Sequence, residues 1–204
     1  MKIGIIGAGN VVKALGTSLA RAGHDVTFAA STPQSAQAAA QEIGANAASS
    51  AAKVASESEI TILAVPYVEA GASVAGEIAD AVRGRIVIDA TNPIKPDYSG
   101  LATNGSSAAE EFQRRLPEAS VVKAFNTVFA TNQASPSKEI DGYVAGDDAD
   151  AKAKVIDLVD SMGFAPVDVG PLSAARTLEG MAYLNIGLNA TNGWSWTSAW
   201  HLKR

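Results

Sequence analysis

The sequence predicts an α/β chain: a doubly wound, mainly parallel sheet covered by helices on both faces, with a small helical lobe at the C-terminus. Three observations carry that expectation. Short runs rich in Ile and Val alternate with longer, alanine-rich segments of helical length, which is the pattern of βαβ units. Hydrophobic residues make up 47% of the chain but aromatic ones only 6%, so small aliphatic side chains must fill the core and let helices lie close on the sheet. The first apolar run passes through a glycine turn straight into a helix. At 204 residues the chain can bury such a core as one domain with a small appendage, without disulfide or metal staples.

In chain order, strands are expected near 2–6, 25–30, 59–65, 85–90, 120–125, 141–145 and 166–169, each a short apolar run bounded by turn formers. Helices are expected near 10–22, 34–43, 67–81, 106–115 and 148–162, the last opening on Asp147 and Asp148 as cap and first-turn anions. A weak strand at 45–48 and a short helix at 49–56 fill the remaining gap. Segment 91–105 holds Pro93, Pro96 and several turn formers, and reads as a long loop after a buried strand; such loops are uncommon unless functional or mobile. From about 172 no further strand is expected, only one or two helices and a tail that holds Trp194, Trp196 and Trp200. The chain therefore divides into a sheet domain, 1–171, and a helical lobe, 172–204, that offers contacts to a substrate or to a second copy.

Composition excludes several chemistries. Zero cysteines remove a disulfide framework, a thiolate zinc site, an iron–sulfur cluster and a cysteine nucleophile. With only His24 and His201, a histidine-rich metal site is excluded too, and no metal is expected. Sixteen basic and twenty-one acidic residues, scattered rather than clustered, leave net charge −5 and no footprint for nucleic acid. No stretch approaches a membrane span, and glycines, Asn10 and Lys13 interrupt the N-terminus before a secretory signal could form, so a cytoplasmic location is expected.

The turn after the first strand, Gly7, Ala8, Gly9, Asn10, Val11 and Val12, is a partial dinucleotide fingerprint and makes the expected fold Rossmann-type. Gly7 permits the tight turn, Gly9 lets backbone approach a pyrophosphate, and the helix starting at Asn10 offers free N–H groups and a positive dipole end. Val12 stands where a third glycine would allow close helix–strand packing. The end of the second strand reads Ser31, Thr32, Pro33, with no carboxylate to hold the ribose hydroxyls of NAD or repel a 2′-phosphate. The hydroxyls can donate to that phosphate, and Pro33 at the first helical position leaves the next helix open as an anion site, although Ser31 or Thr32 could equally serve as a helix cap. NADP is favoured over NAD. The arginine that usually holds the 2′-phosphate is missing, and Lys13 reads as a solvated surface residue rather than its substitute.

Several strings together carry a family resemblance: Gly7 to Asn10; Ala64, Val65 and Pro66; Asp89 to Pro93; Val122 to Thr127; Gly146 to Asp148; and Gly163 through Asp168, Gly170, Leu172, Arg176 and Glu179. Over residues 1–185 the chain resembles the NADP oxidoreductases of the coenzyme F-420-dependent type. The resemblance implies a small Rossmann protein, usually a homodimer, that passes hydride between NADPH and a flat small-molecule acceptor such as coenzyme F-420 or a flavin. It implies that Ala64, Val65, Pro66, Thr91 and Asn92 line the nicotinamide half of the cofactor site, and that Ala124 and Asn126 stand where acceptor and nicotinamide meet. Thr32 departs from the family, whose archaeal members commonly carry arginine there.

No conventional proton-transfer pair is visible. His24 falls in a helix-to-strand turn opposite the expected crevice, and His201 lies near the end of the chain. Hydride transfer between two rings needs apposition and dryness rather than a protein acid or base. A reductase of a small imine or carbonyl would need a proton donor, and Tyr67, next to Pro66, is the one candidate acid; a non-catalytic NADP-binding module is the third possibility. The acidic composition offers little to the polyglutamate tail of F-420, which favours a smaller or less charged acceptor.

Overall fold

A computed structural model describes residues 1–203. Eight strands form one sheet: β1 (Lys2–Ile6), β2 (Asp25–Ala29), β3 (Asn46–Ala47), β4 (Ile60–Leu63), β5 (Ile86–Asp89), β6 (Ser120–Lys123), β7 (Asp141–Gly146) and β8 (Ala165–Asp168). Their order is β3-β2-β1-β4-β5-β6-β7-β8, and every neighbouring pair is parallel except β6 and β7. β4 and β5 are buried along their whole length, as expected of strands covered on both faces.

Alternate residues feed two cores. Ile3, Ile5, Phe28, Ile62, Ile88 and Val122 meet helices α1 (Asn10–Arg21), α2 (Pro33–Ile43) and α7 (Ala149–Ser161) on one face. Ile6, Ala29, Leu63, Val87 and Val121 meet α3 (Ala51–Glu57), α4 (Ala72–Ile78) and α5 (Ala108–Arg115) on the other. Alanines at these contacts bring the layers together. Gly16 of α1 lies against the Phe28 ring with no room for a Cβ, so close helix–sheet approach is achieved one turn after Val12.

Three features differ from the sequence expectation, and a fourth is the one antiparallel pairing that a mainly parallel sheet admits. The helix expected over 67–81 is a wide π-type turn, Tyr67–Gly71, followed by the shorter α4. A five-residue helix, α6 (Ala130–Ala134), was not foreseen. Asp148 caps α7 by accepting the Ala151 N–H at 2.8 Å, whereas Asp147 reaches across to the Leu172 N–H at 2.8 Å. β7 runs antiparallel to β6.

After a 3₁₀ turn, Leu172–Ala174, helix α8 (Ala175–Asn192) closes the described fold and stops at Gly193 in the left-handed conformation. The tail then folds back. Thr131 and Asn132 donate to the carbonyls of Trp196 and Thr197, Ser198 joins Asn185 and Asn189, and the Trp200 carbonyl accepts the Asp141 N–H at 3.0 Å. Among the described residues no helix is long and apolar enough to cross a membrane.

Candidate active site

A crevice of about 680 Å³ opens beyond the C-terminal ends of β1, β4 and β5, where the strand order reverses. The glycine loop from Ile6 to Val11 forms one wall, and Ala64, Val65 and Pro66 after β4 form the facing one. Ala30 and Ser31 mark the β2 end, and Ala90, Thr91 and Asn92 the β5 end.

The two glycines have separable duties. Gly7 has φ +143°, donates its N–H to the Ala29 carbonyl at 2.8 Å, and would drive a Cβ into the Ala64 carbonyl oxygen and to 2.8 Å from Val12 Cγ2. Val12 is thus fully buried behind Gly7 and does not border the crevice. At Gly9 the backbone is extended, and no atom lies within 4 Å of the place a Cβ would take, so the space is open to a ligand. Helix α1 begins there without a side-chain cap, leaving its first N–H groups to an anion.

At the β2 end, Ser31 borders the crevice. Thr32 instead caps α2, accepting the Ser35 N–H at 3.2 Å, and Pro33 borders a separate depression with Gln37 and Asn46. Lys13 pairs with Glu42. One carboxylate does reach the crevice, from an element with no local signal for that position: Glu77 of α4, which accepts the Ala51 N–H at 3.0 Å.

The β5 end is held by a buried ionic cluster. Lys123, fully enclosed, donates to Asp89 Oδ2 at 2.8 Å, Glu179 Oε1 at 2.8 Å and the Thr91 carbonyl at 2.6 Å. Asp89 Oδ1 accepts the Thr91 N–H at 2.8 Å, so both backbone groups of Thr91 are pinned. Burial alone would lower the Lys123 ammonium, but Asp89 and Glu179 outweigh it and hold it above its ordinary value. Burial pushes the Glu179 carboxyl up to about 7 against the pull of Lys123. Asn92 and Asn126 hydrogen-bond each other twice at 3.0 Å, and Asn126 Nδ2 also donates to the Leu178 carbonyl of α8 at 3.0 Å. Ala124 is fully buried and borders none of the cavities described here.

Two further cavities continue the crevice. A chamber of about 170 Å³ shares Val11, Ala90 and Asn92 with it and is lined beyond them by Phe125 to Ala130, Gln133 and Asn185. A wider cavity of about 420 Å³ shares Pro66 and Asn92 and is walled by Ile94, Tyr98, Phe129, Ile186 and Trp196, with Glu69 and Lys95 as its charges. Phe129 and Trp196 meet edge to face at 5.5 Å. Among the described residues the only non-glycines with left-handed backbone are Tyr98, Phe125 and Trp196. All three border these two cavities, so the backbone strain, about 1–3 kcal/mol each, is concentrated here. The sequence hinted at the tail through its tryptophans, but nothing in it marked Phe129 or Gln133.

Tyr67 donates its hydroxyl to Glu111 Oε2 at 2.7 Å and stacks edge-on against Phe112. Burial and this hydrogen bond push its phenol far above the ordinary value, which makes it a reluctant acid. His24 sits in the α1–β2 turn with Nε2 3.1 Å from Ser161 Oγ, and burial, then the N-terminal ammonium, lower its pKa. His201 lies 3.4 Å from Asp141.

A doubly wound sheet with a glycine turn and an uncapped helix start at its switch point defines a dinucleotide-binding oxidoreductase fold. The family model for NADP oxidoreductases, coenzyme F420-dependent, matches residues 2–93. The F420-dependent NADP reductase of Methanothermobacter marburgensis is 31% identical over 211 residues, which cover 94% of each chain. The chain belongs to this family of NADP oxidoreductases. The metalloreductase STEAP3 of Rattus norvegicus is 30% identical over 190 residues, 87% of this chain but 36% of its own length. A solved structure from Arthrobacter sp. FB24, provisionally named an F420-dependent NADP reductase, superposes with TM-score 0.90 over the whole of both chains at 27% identity.

Proposed function

We propose that this chain binds NADPH along the crevice and passes hydride to a flat acceptor, flavin- or deazaflavin-like as in coenzyme F-420, in the cavity beyond Pro66 and Asn92. The observation that carries the reading is that the crevice shares Pro66 and Asn92 with an aromatic-walled cavity in which the Tyr67 phenol is committed to Glu111 and Tyr98 is the other phenol. The residues present fit NADP: open space at Gly9 and the uncapped start of α1 suit the pyrophosphate, and Ser31, at a β2 end that carries no carboxylate of its own, suits the 2′-phosphate, while Glu77 is tied to the Ala51 N–H. Bound NADPH supplies the hydride. The chain's own residues bind and orient. Gly7 to Asn10 cradle the phosphates, and Ser31 meets the 2′-phosphate while Thr32 and Pro33 shape the α2 start behind it. Ala64, Val65, Pro66, Thr91 and Asn92 border the nicotinamide half, with Asn126 behind Asn92 and Ala124 as buried backbone support. Lys123 fixes the Thr91 carbonyl, and Phe129, Ile186 and Trp196 exclude water from the meeting point.

The deciding experiment is NADPH oxidation with F-420, FMN, riboflavin and a panel of imines and carbonyls. Turnover of the flavin or deazaflavin class is the expected result. Turnover confined to imines or carbonyls would move the acceptor to the alternative class, tight binding without turnover would leave an NADP-binding module, and failure to bind NADPH below millimolar concentration would remove every one of these readings. A division into a cofactor domain, 1–171, and an acceptor- and partner-facing lobe from 172, a homodimer paired through the outer face of α8, and a cytoplasmic site of action belong to the same proposal. Exposed Leu184 and Leu188 on that face support the pairing.

A further inference from the structure

Four residues of the crevice lining stand apart from the glycine turn and from the β5 end: Ala51 at the start of α3, Ala70 in the π-type turn, and Val74 and Glu77 of α4. Ala51 is buried, Ala70 and Val74 are half-buried, and Glu77 is exposed. Helix α3 packs on β1 and β2 and against α4. Ala51, and Glu77 bound to it, therefore stand on the β2 side of the crevice with Ser31, away from Thr91 and Asn92. Three apolar side chains and one carboxylate suit a flat, uncharged ring that carries an N–H donor, because apolar walls hold a ring and the few polar groups fix its orientation. The carboxylate can only accept.

Glu77 is held in place by its other oxygen. Its Oε1 accepts the N–H groups of Ala51 at 3.0 Å and Ala52 at 3.4 Å, while Ser50 accepts the Lys53 N–H at 3.2 Å, so the first three N–H groups of α3 are satisfied. Capping uses Oε1 alone. Among the described residues Glu77 Oε2 accepts no hydrogen bond and Glu77 has no ion-pair partner. A dinucleotide laid across the switch point has its two rings on opposite sides of the pyrophosphate. With the nicotinamide at the β5 end, the adenine falls on the β2 side, and its 6-amino group is the donor that a fixed acceptor there can take. Resting on the NADPH reading, we propose that Ala51, Ala70 and Val74 flank the adenine of the cofactor and that Glu77 Oε2 accepts its 6-amino N–H.

The cofactor is varied first, which leaves the fold untouched. Calorimetry compares NADP⁺ with NAD⁺ and with deamino-NADP⁺, which carries hypoxanthine for adenine and so sets a carbonyl oxygen where the amino group was. The deamino compound should bind about tenfold more weakly than NADP⁺. Equal binding of the two overturns the proposal and leaves the cofactor reading in place; failure of all three compounds to bind removes the cofactor reading itself. Glu77→Gln keeps an oxygen for the Ala51 N–H and turns an N–H toward the base. It should weaken NADP⁺, strengthen the deamino compound and close the gap to about threefold or less. A role confined to capping α3 would change both compounds alike and leave the gap at tenfold, which overturns the assignment. An equal gain by both with none for NAD⁺ would set the carboxylate against the 2′-phosphate instead, and overturns it too.

Discussion

At the scale of single residues, the glycine turn separates folding from binding. Gly9→Ala puts a methyl group into open space on an extended backbone, so stability should stay within about 0.5 kcal/mol of the parent or rise slightly. The same methyl group occupies the phosphate approach, and NADPH affinity should fall at least about tenfold by fluorescence titration. Gly7→Ala should do the reverse in order of cause: with φ +143° and the Ala64 carbonyl in the way, it should cost about 2 kcal/mol or more of stability in a denaturant melt. If the two variants behave alike, the division of labour is wrong. The cofactor's ribose end offers a second contrast. Ser31→Asp should swing the NADPH-to-NADH affinity ratio about tenfold toward NADH, because a carboxylate there repels the 2′-phosphate and accepts from ribose hydroxyls. An unchanged ratio would contradict the placement of the phosphate. Thr32→Arg should gain NADPH affinity, but it also removes the α2 cap and should cost about 1 kcal/mol of stability.

Between elements, the Lys123, Asp89 and Glu179 cluster ties β5, β6 and α8 together and holds the Thr91 carbonyl at the β5 end of the crevice. The Glu179 carboxyl titrates at about 7 in the folded chain against an ordinary 4.5. The folded state therefore keeps a proton that the unfolded chain has released, and the stability this proton contributes is complete below about pH 4.5 and lost as pH rises through about 7. Glu179→Gln keeps the shape of the protonated form and should flatten that slope: between pH 5 and pH 8 the parent's melting temperature should fall relative to the variant's, and parallel curves would exclude Glu179 as the titrating group. The Lys123 cluster could not be read from the sequence, because its members lie on three distant segments and only folding brings them together. What could be read was local. The glycine turn, the Ile and Val runs and the caps at Thr32 and Asp148 act over a few residues, and those elements lie where expected to within a residue or two. Helix α6 is not legible because five residues without a side-chain cap leave almost no periodic signal, and the π-type turn at Tyr67–Gly71 is indistinguishable from α4 because both keep helical composition. The antiparallel β7 is a pairing choice, which a strand's own residues do not encode.

Across the whole molecule, charge and shape bear on the acceptor. The chain carries net −5, and the proposed acceptor cavity has Lys95 as its one cation beside Glu69. An acceptor with several carboxylates approaches against this field, so its KM should fall a few-fold as ionic strength rises from about 0.01 to 0.15 M, while an uncharged riboflavin should show no such dependence. The homodimer proposed through the outer face of α8 has its own test: Leu184 is 53% exposed, and Leu184→Glu should convert a sedimenting dimer to monomer without altering NADPH affinity. The tail is strapped across α6, α8 and the start of β7. Tyr98, Phe129 and Trp196, which wall the proposed acceptor cavity, all lie outside the strands, and none of them lines the crevice formed by the glycine turn. Substitutions at those three positions should therefore reshape the proposed acceptor cavity and leave the Gly7–Asn10 turn as it is, with Pro66 and Asn92 the residues at which the two sites meet.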